Sequence, residues 1–310
     1  MERRRPRLRM QILKRSRGRL RSCVLVGLDM IAAALLRPGV TSQAVKAFQR
    51  TNCTIKVCGN IENSEHLDAA LIFGGDGTVH RYLPELYRRK IPTLVVPKGS
   101  GNDFAKALGI ANERAALRAW SEFCKSGGKN VREIDLGVVT KDDQETLFCC
   151  VAGAGLDAAA NARANRMPPW LRGTAGYLLA AVQSIVWFEP AEFTIDGREH
   201  AIRRDGFFIA AGNAHRYGRG MRVTPRAELD DGLLDVCFVG AMNKTKLLFA
   251  VPTIFFGAHL RIRQVDYFQA QRVSIATGRP LDVYADGEYI CQTPVRLSLL
   301  TRALKVIVPA

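Results

Sequence analysis

The sequence predicts an α/β domain followed by a mostly antiparallel β domain. Three observations carry this reading. Apolar runs alternate with helix-forming stretches up to about residue 123, the grammar of a parallel sheet. A polar, glycine-bearing break, Lys-Ser-Gly-Gly-Lys, follows at 125–129. Beyond it, short apolar and β-branched segments crowd together between Gly, Asp and Pro turns, the pattern of a β-sandwich.

Taken in order, residues 1–22 hold nine arginines and one lysine against one glutamate, a large share of the net charge of +16. Such an arm suits anionic lipid headgroups, with Leu8, Met10, Ile12, Leu13 and Leu20 as insertion points. Residues 23–26 read as a first strand, 29–36 as helical, 40–50 as a helix opened by Thr41-Ser42, and 54–58 as a strand. The apolar run 67–73 is a buried strand, 79–90 a helix, 91–96 a strand, and 104–108 helical again. After the break, 132–139 and 146–152 are strands around a polar turn, and 158–186 is a helical interlude. Strands follow at 192–195, 201–203, 207–211, 233–239, 273–276, 281–285, 289–291, 295–299 and 303–308, with a helix over 242–257. The expected division is a basic arm at 1–22, an α/β domain at 23–130 and a β domain at 131–310, with 300–310 packing back on the first domain.

Composition excludes several classes. The eight cysteines form no CxxC and no Cys/His cluster at zinc spacing, and Cys149-Cys150 sits in an apolar run, which suits buried thiols in a reducing compartment. The apolar stretches 23–36, 177–188 and 247–260 are too short to span a bilayer, and no signal peptide is evident. No aromatic-and-basic pattern supports a nucleic-acid partner. A cytoplasmic protein peripherally associated with a membrane is the expectation; a homodimer is compatible with the sequence.

Chemistry concentrates in a few turns. Gly74-Gly75-Asp76-Gly77-Thr78 follows a strand and opens a helix, which is how backbone N–H groups are brought close to a phosphate. The grammar recurs at Pro97-Lys98-Gly99-Ser100-Gly101-Asn102-Asp103, where Ser100 or Asn102 can cap the next helix and Gly99-Ser100-Gly101 can donate to a nucleotide phosphate. No Gly-Lys-Thr/Ser follows the first turn, so this is no Walker A loop. Glu228, Asp230, Asp231 and Asp235 crowd acidic oxygens into eight residues of a basic chain, a set that hard cations prefer. Asp286-Gly287-Glu288 reads as a hairpin turn.

The order of these stretches, with Gly153-Ala-Gly-Leu-Asp157-Ala158 and Asn213…Tyr217-Gly218-Arg-Gly220-Met221…Pro225 between them, resembles the diacylglycerol kinase catalytic family over roughly residues 67–310. The resemblance implies an α/β nucleotide-binding domain of the NAD kinase/diacylglycerol kinase type, a β-sandwich domain, and an active site between them. It implies transfer of the γ-phosphoryl group of ATP to a lipid hydroxyl, with Mg2+. By it, Gly74, Gly75, Gly77 and Thr78 cradle ATP with Ser100, Gly101, Asn102 and Glu288. Asp76 lies close to the phosphates and the acceptor hydroxyl, and Asp286 is the general base. Asp157 joins a carboxylate network near Mg2+, and Glu228, Asp231 and the Leu233 carbonyl hold a structural metal. The acyl chains need apolar lining, for which Trp170, Tyr177, Leu178, Leu179, Trp187 and Phe188 are candidates.

Three departures stand out. The family's Asn-Pro-x-Ser/Ala-Gly turn after the first strand is missing, with Val26-Gly27-Leu28-Asp29 the nearest position. Arg81 replaces a glutamate. Pro84 is expected to break or kink a helix begun at Thr78, unless the regular helix starts near Leu83. The alternatives are a catalytically inactive lipid- or nucleotide-binding homologue, and a kinase of a soluble acceptor such as NAD, whose kinases share the Gly-Gly-Asp-Gly turn.

Overall fold

The computed structural model describes residues 30–50, 53–62, 66–156, 183–185, 187–197, 201–218 and 220–310. The basic arm, the strand expected at 23–26, nearly all of the helical interlude, Asp157, Trp170, Tyr177, Leu178 and Leu179 lie outside them.

The chain builds a parallel sheet first. β1 (Met30–Leu36) is flanked in parallel by β2 (Cys53–Cys58) and β3 (Ala69–Gly74), and β3 pairs in parallel with β4 (Thr93–Pro97). The helix expected at 29–36 is therefore a strand. Ala32 to Leu35 are fully buried between two neighbours, and a continuous apolar run in that position is a central parallel strand, whatever the helix propensity of alanine and leucine.

Short α1 (Gln43–Lys46) replaces the longer helix expected over 40–50. The chain leaves it to bury Phe48, whose ring meets Phe73 edge-on at 5.1 Å and whose carbonyl accepts a 2.7 Å bond from Trp120 Nε1. α2 (Asp76–Arg89) is continuous through Pro84, contrary to the expected break. Val79, Tyr82, Leu83 and Leu86 seat it on the core, and that burial outweighs the one backbone bond that proline forgoes. α3 (Asp103–Ala107) and α4 (Glu113–Ser126) complete this part.

The second part is antiparallel: β5 (Val131–Lys141), β6 (Gln144–Phe148), β7 (Val151–Gly155), β8 (Ala191–Asp196), β9 (Ile202–Gly212), β10 (Leu234–Gly240), β11 (Val265–Ala270), β12 (Arg272–Thr277), β13 (Asp282–Ala285), β14 (Glu288–Gln292) and β15 (Val295–Ile307). The strand expected at 146–152 is broken at Cys149-Cys150, and the two expected around 201–211 are one, β9. β11 was not evident from the sequence, because Asp266 and Gln269 interrupt its apolar pattern. The helix expected over 242–257 is only α5 (Lys244–Ala250); 3-10 turns follow at Val251–Phe256 and Ala258–Arg261, because Pro252 cannot donate the next helical bond.

β15 joins the two parts. Its start pairs with β12, its length with β5, and its end reaches β4 in parallel, at Val306 opposite Thr93. Its pairing with β5 shifts between Leu300 and Leu304, and Arg302 takes φ +49° at that bulge. Buried Asp135 on β5 accepts from Arg302 N (2.7 Å) and Gly232 N (2.8 Å), fixing the bulge to the loop before β10. One core underlies the parallel sheet and a second lies within the antiparallel strands, centred on Phe193, Phe238 and Val273.

Candidate active site

The carboxyl ends of β1, β3 and β4 share one edge, where open α/β sheets bind ligands. Gly75 and α2 follow β3; residues 98–102 and α3 follow β4. The two glycine turns touch. Lys98 N donates to Gly74 O (2.9 Å), and a methyl group built on Gly75 would stand 2.8 Å from the Gly99 Cα, or one on Gly99 2.5 Å from the Gly75 Cα. Glycine is required at both because the turns pack backbone to backbone. Asn102, at φ +56°, holds the second turn closed: its Oδ1 accepts from Gly99 N and its Nδ2 donates to Gly99 O, both at 2.8 Å. Gly101 O accepts from Lys106 Nζ, and Ser100 is exposed.

The turn after the first strand is Arg37-Pro38-Gly39, a correction to its placement at 26–29. It meets the same edge, with Arg37 N donating to Phe73 O (3.0 Å) and Arg37 Nη1 to Lys98 O (2.7 Å). The misplacement followed from reading β1 as a helix.

α3 is capped by neither Ser100 nor Asn102. Asp76, the first residue of α2, reaches across: its Oδ2 accepts from Asp103 N (3.1 Å) and its Oδ1 from Phe104 N (3.0 Å). Asn102 is already spent on Gly99. Burial raises the Asp76 carboxyl above the usual aspartate range against these two bonds, and the charge of Asp286 adds to the rise.

Asp286 comes from the other part of the chain. It sits at φ +51° ahead of Gly287 at +89°, a tight hairpin turn joining β13 and β14. Its carboxylate is 2 % exposed and fills the break between β6 and β7, accepting from Cys149 N (2.7 Å), Cys150 N (2.8 Å) and Val151 N (3.3 Å). Buried Asn213 fixes that bend: its Nδ2 donates to Cys149 O (3.0 Å) and Asp135 O (2.9 Å), and its backbone N to Cys150 O (2.8 Å). Burial and the nearby carboxylates push the Cys149 and Cys150 thiols well up, so both remain protonated.

His80, one turn along α2 from Asp76, stands with Nδ1 3.6 Å from Asp286 Oδ2. Burial works against its charge, but the adjacent Asp286 carboxylate, with the charge of Glu288, raises its pKa above the usual histidine value. Glu288 closes the cluster: its Oε1 lies 2.9 Å from where a Gly77 side chain would begin. The result is three carboxylates from distant parts of the chain, an imidazole beside Asp286, and two glycine turns alongside.

Comparison with known proteins agrees. The diacylglycerol kinase catalytic domain matches residues 31–139, and the YegS C-terminal NAD kinase β-sandwich-like domain matches 150–308. A diacylglycerol kinase of Mycobacterium tuberculosis is 34 % identical over 271 residues, covering 82 % of this chain and 84 % of its own. The chain belongs to the diacylglycerol kinase family of lipid kinases. A Bacillus subtilis diacylglycerol kinase is 26 % identical over 78 % of each chain. In fold, the chain is similar to a diacylglycerol kinase structure from Bacillus anthracis (TM-score 0.66, 16 % identity, 90 % of this chain and 97 % of that one). It also resembles an ATP-bound NAD kinase from Archaeoglobus fulgidus (TM-score 0.54, 12 % identity, 90 % and 94 %).

In this chain Gly74, Gly75, Asp76, Gly77, Thr78, Ser100, Gly101, Asn102, Asp286 and Glu288 fall on the shared edge and the facing hairpin. Glu228, Asp231 and Leu233 lie elsewhere, on the loop before β10. There Asp231 Oδ1 accepts from Leu233 N (3.0 Å), while Arg132 pairs with neighbouring Asp230 at 2.5 Å and buried Asp235 is bonded by Tyr267 and Gln269. Among the described residues no three His, Cys, Asp or Glu side chains converge as metal ligands. Trp187 is exposed and Phe188 packs on both cores, with the Arg279 guanidinium over its ring. Arg81 is exposed, its guanidinium 5.7 Å from the Tyr82 ring centroid. Asn213 was legible only as a letter within a motif and His80 was missed; a histidine four residues after the turn aspartate, one helical turn along the same face, was the available signal for it.

Proposed function

We propose that the protein transfers the γ-phosphoryl group of ATP to a lipid hydroxyl. The observation that carries this is the pairing of Asp286 with His80 and Asp76 beside two interlocked glycine turns. A lipid hydroxyl is a poor nucleophile, and its proton must leave as the O–P bond forms. Asp286 is held by three N–H groups with one oxygen edge toward His80, so it accepts that proton, and the imidazolium of His80 steadies the carboxylate meanwhile. Asp76 and the turn backbone orient the phosphates and the incoming hydroxyl.

The site suits a cation-bound nucleotide: burial and a like charge raise the Asp76 carboxyl, and a cation beside it removes that strain. When bound, Mg2+ neutralises charge on the transferring phosphate. Glu228, Asp231 and the Leu233 carbonyl offer oxygens on one loop for a second, structural cation; Asp157 is proposed to support the first. The arm at 1–22 is proposed to hold the enzyme on anionic lipid. No described helix is long and apolar enough to cross a membrane.

The test is incorporation of labelled γ-phosphate into diacylglycerol or a sphingoid base in mixed micelles. Asp286→Asn is expected to lose about 10²- to 10⁴-fold of the rate. Equal rates for wild type and variant would refute the role of Asp286.

A further inference from the structure

We propose that α5 and the 3-10 turn after it form a membrane-docking face that seats Leu248, Phe249 and Phe256 in an anionic bilayer. The proposal rests on the lipid-kinase reading for its purpose, though not for its test.

Residues 244–256 are apolar on two sides. Leu247, Ala250 and Val251 point into the core and are buried. Leu248, Phe249 and Phe256 are 40, 75 and 83 % exposed, and Pro252 between them is exposed too. Leu248 and Phe249 stand at the end of α5 and Phe256 at the end of the 3-10 turn that continues from it, so one short segment carries all three outward. Six large hydrophobic side chains are exposed among the described residues, and these three are half of them. Trp187, 76 % exposed, is a fourth in the neighbourhood, because Glu189 pairs with Lys244 at 2.6 Å.

The platform is fixed. Arg222 N donates to Ile254 O (3.1 Å), buried His259 bonds through Nε2 to Val223 O (3.0 Å), and Ile254 and Phe255 pack on the core. Aromatic side chains held out from such a base cost little ordering entropy on insertion. The platform also adjoins the site: Thr224 Oγ1 donates to Ala214 O, and Ala214 N to Cys150 O, at the bend that holds Asp286.

Charge selects the occupant. No Asp or Glu occurs from residue 242 to 264, while Lys244, Lys246, Arg261 and Arg263 do. Lys246, Arg261 and Arg263 are exposed and have no acidic partner among the described residues. Exposed apolar side chains with these cations on the same stretch of chain match acyl chains beneath anionic headgroups. A second copy docking this face on itself would set cation against cation, and the basic arm is repelled likewise.

The test is cosedimentation of the full chain with sucrose-loaded vesicles, without nucleotide, comparing phosphatidylcholine alone with a phosphatidylcholine–phosphatidylglycerol mixture. Preference for the mixture is expected. Phe249→Ser/Phe256→Ser is expected to lower the partition coefficient about tenfold, and so is Lys246→Glu/Arg261→Glu/Arg263→Glu. Both should keep wild-type melting and wild-type transfer to a short-chain, monomeric acceptor. Unchanged binding of the phenylalanine variant would overturn the proposal and leave the arm as the anchor. So would light scattering that showed a wild-type dimer made monomeric by those serines. Vesicle binding through this face without phosphoryl transfer would refute the kinase reading and leave the surface standing.

Discussion

At the residue scale, the site is a problem of like charges held together. Asp76 and Asp286 are brought close by folding, and each is restrained by backbone N–H groups. Because the folded Asp76 carboxyl is raised above 3.8, its stabilising contribution is present at acid pH and lost as pH rises through the folded value. Asp76→Asn gives up one of the two backbone bonds but also the pH-dependent contribution, so it is expected to show a flatter dependence of Tm on pH above about 4 and to lose activity; melting curves across that range check it. His80 has the opposite origin and the same sign. Its charge is held by Asp286, so that stabilisation is complete below 6.5 and disappears as pH rises through the raised value. An NMR titration of the imidazole is expected to give a midpoint above 6.5 in wild type and a lower one in Asp286→Asn, where burial dominates. A midpoint that did not move would dissolve the pair.

At the scale of elements, the interlocked turns are the least tolerant part of the molecule. Gly99→Ala places a methyl against the Gly75 backbone rather than against a side chain that can swing away. It is expected to cost about 1–3 kcal/mol in urea unfolding and to reduce ATP affinity together with stability. The glycine turns, the hairpin at Asp286 and the antiparallel β domain were legible in the sequence, because turns and short strands announce themselves through local residue types, while the role of Asp286 came only with the family resemblance. What was hidden depended on tertiary neighbours. β1 reads as a helix until β2 and β3 bury both its edges, and Pro84 reads as a break until α2 is seated on the core. The gap between β6 and β7 is invisible in an apolar run, since it exists to turn three N–H groups onto Asp286, 135–137 residues away. Asp76 as the cap of α3 is equally non-local: the sequence offers Asn102 at the right spacing, and only its commitment to Gly99 removes it.

At the scale of the whole molecule, the candidate site depends on how the parallel sheet and the sandwich are joined. The turns belong to the first, Asp286 and its bend to the second, and β15 runs from one to the other with Asp135 pinning its bulge. The donors that hold Asp286 are backbone groups of the sandwich, so its carboxylate is fixed before any substrate arrives, which is the preorganisation that the proposed phosphoryl transfer requires. The most direct measurement is mass spectrometry of a total lipid extract incubated with the protein and MgATP, set beside the same reaction with Asp286→Asn. The account predicts new lipid phosphomonoesters with wild type and none above background with the variant. Phosphate appearing on NAD alone, or no lipid product from a folded protein that binds ATP, would contradict it.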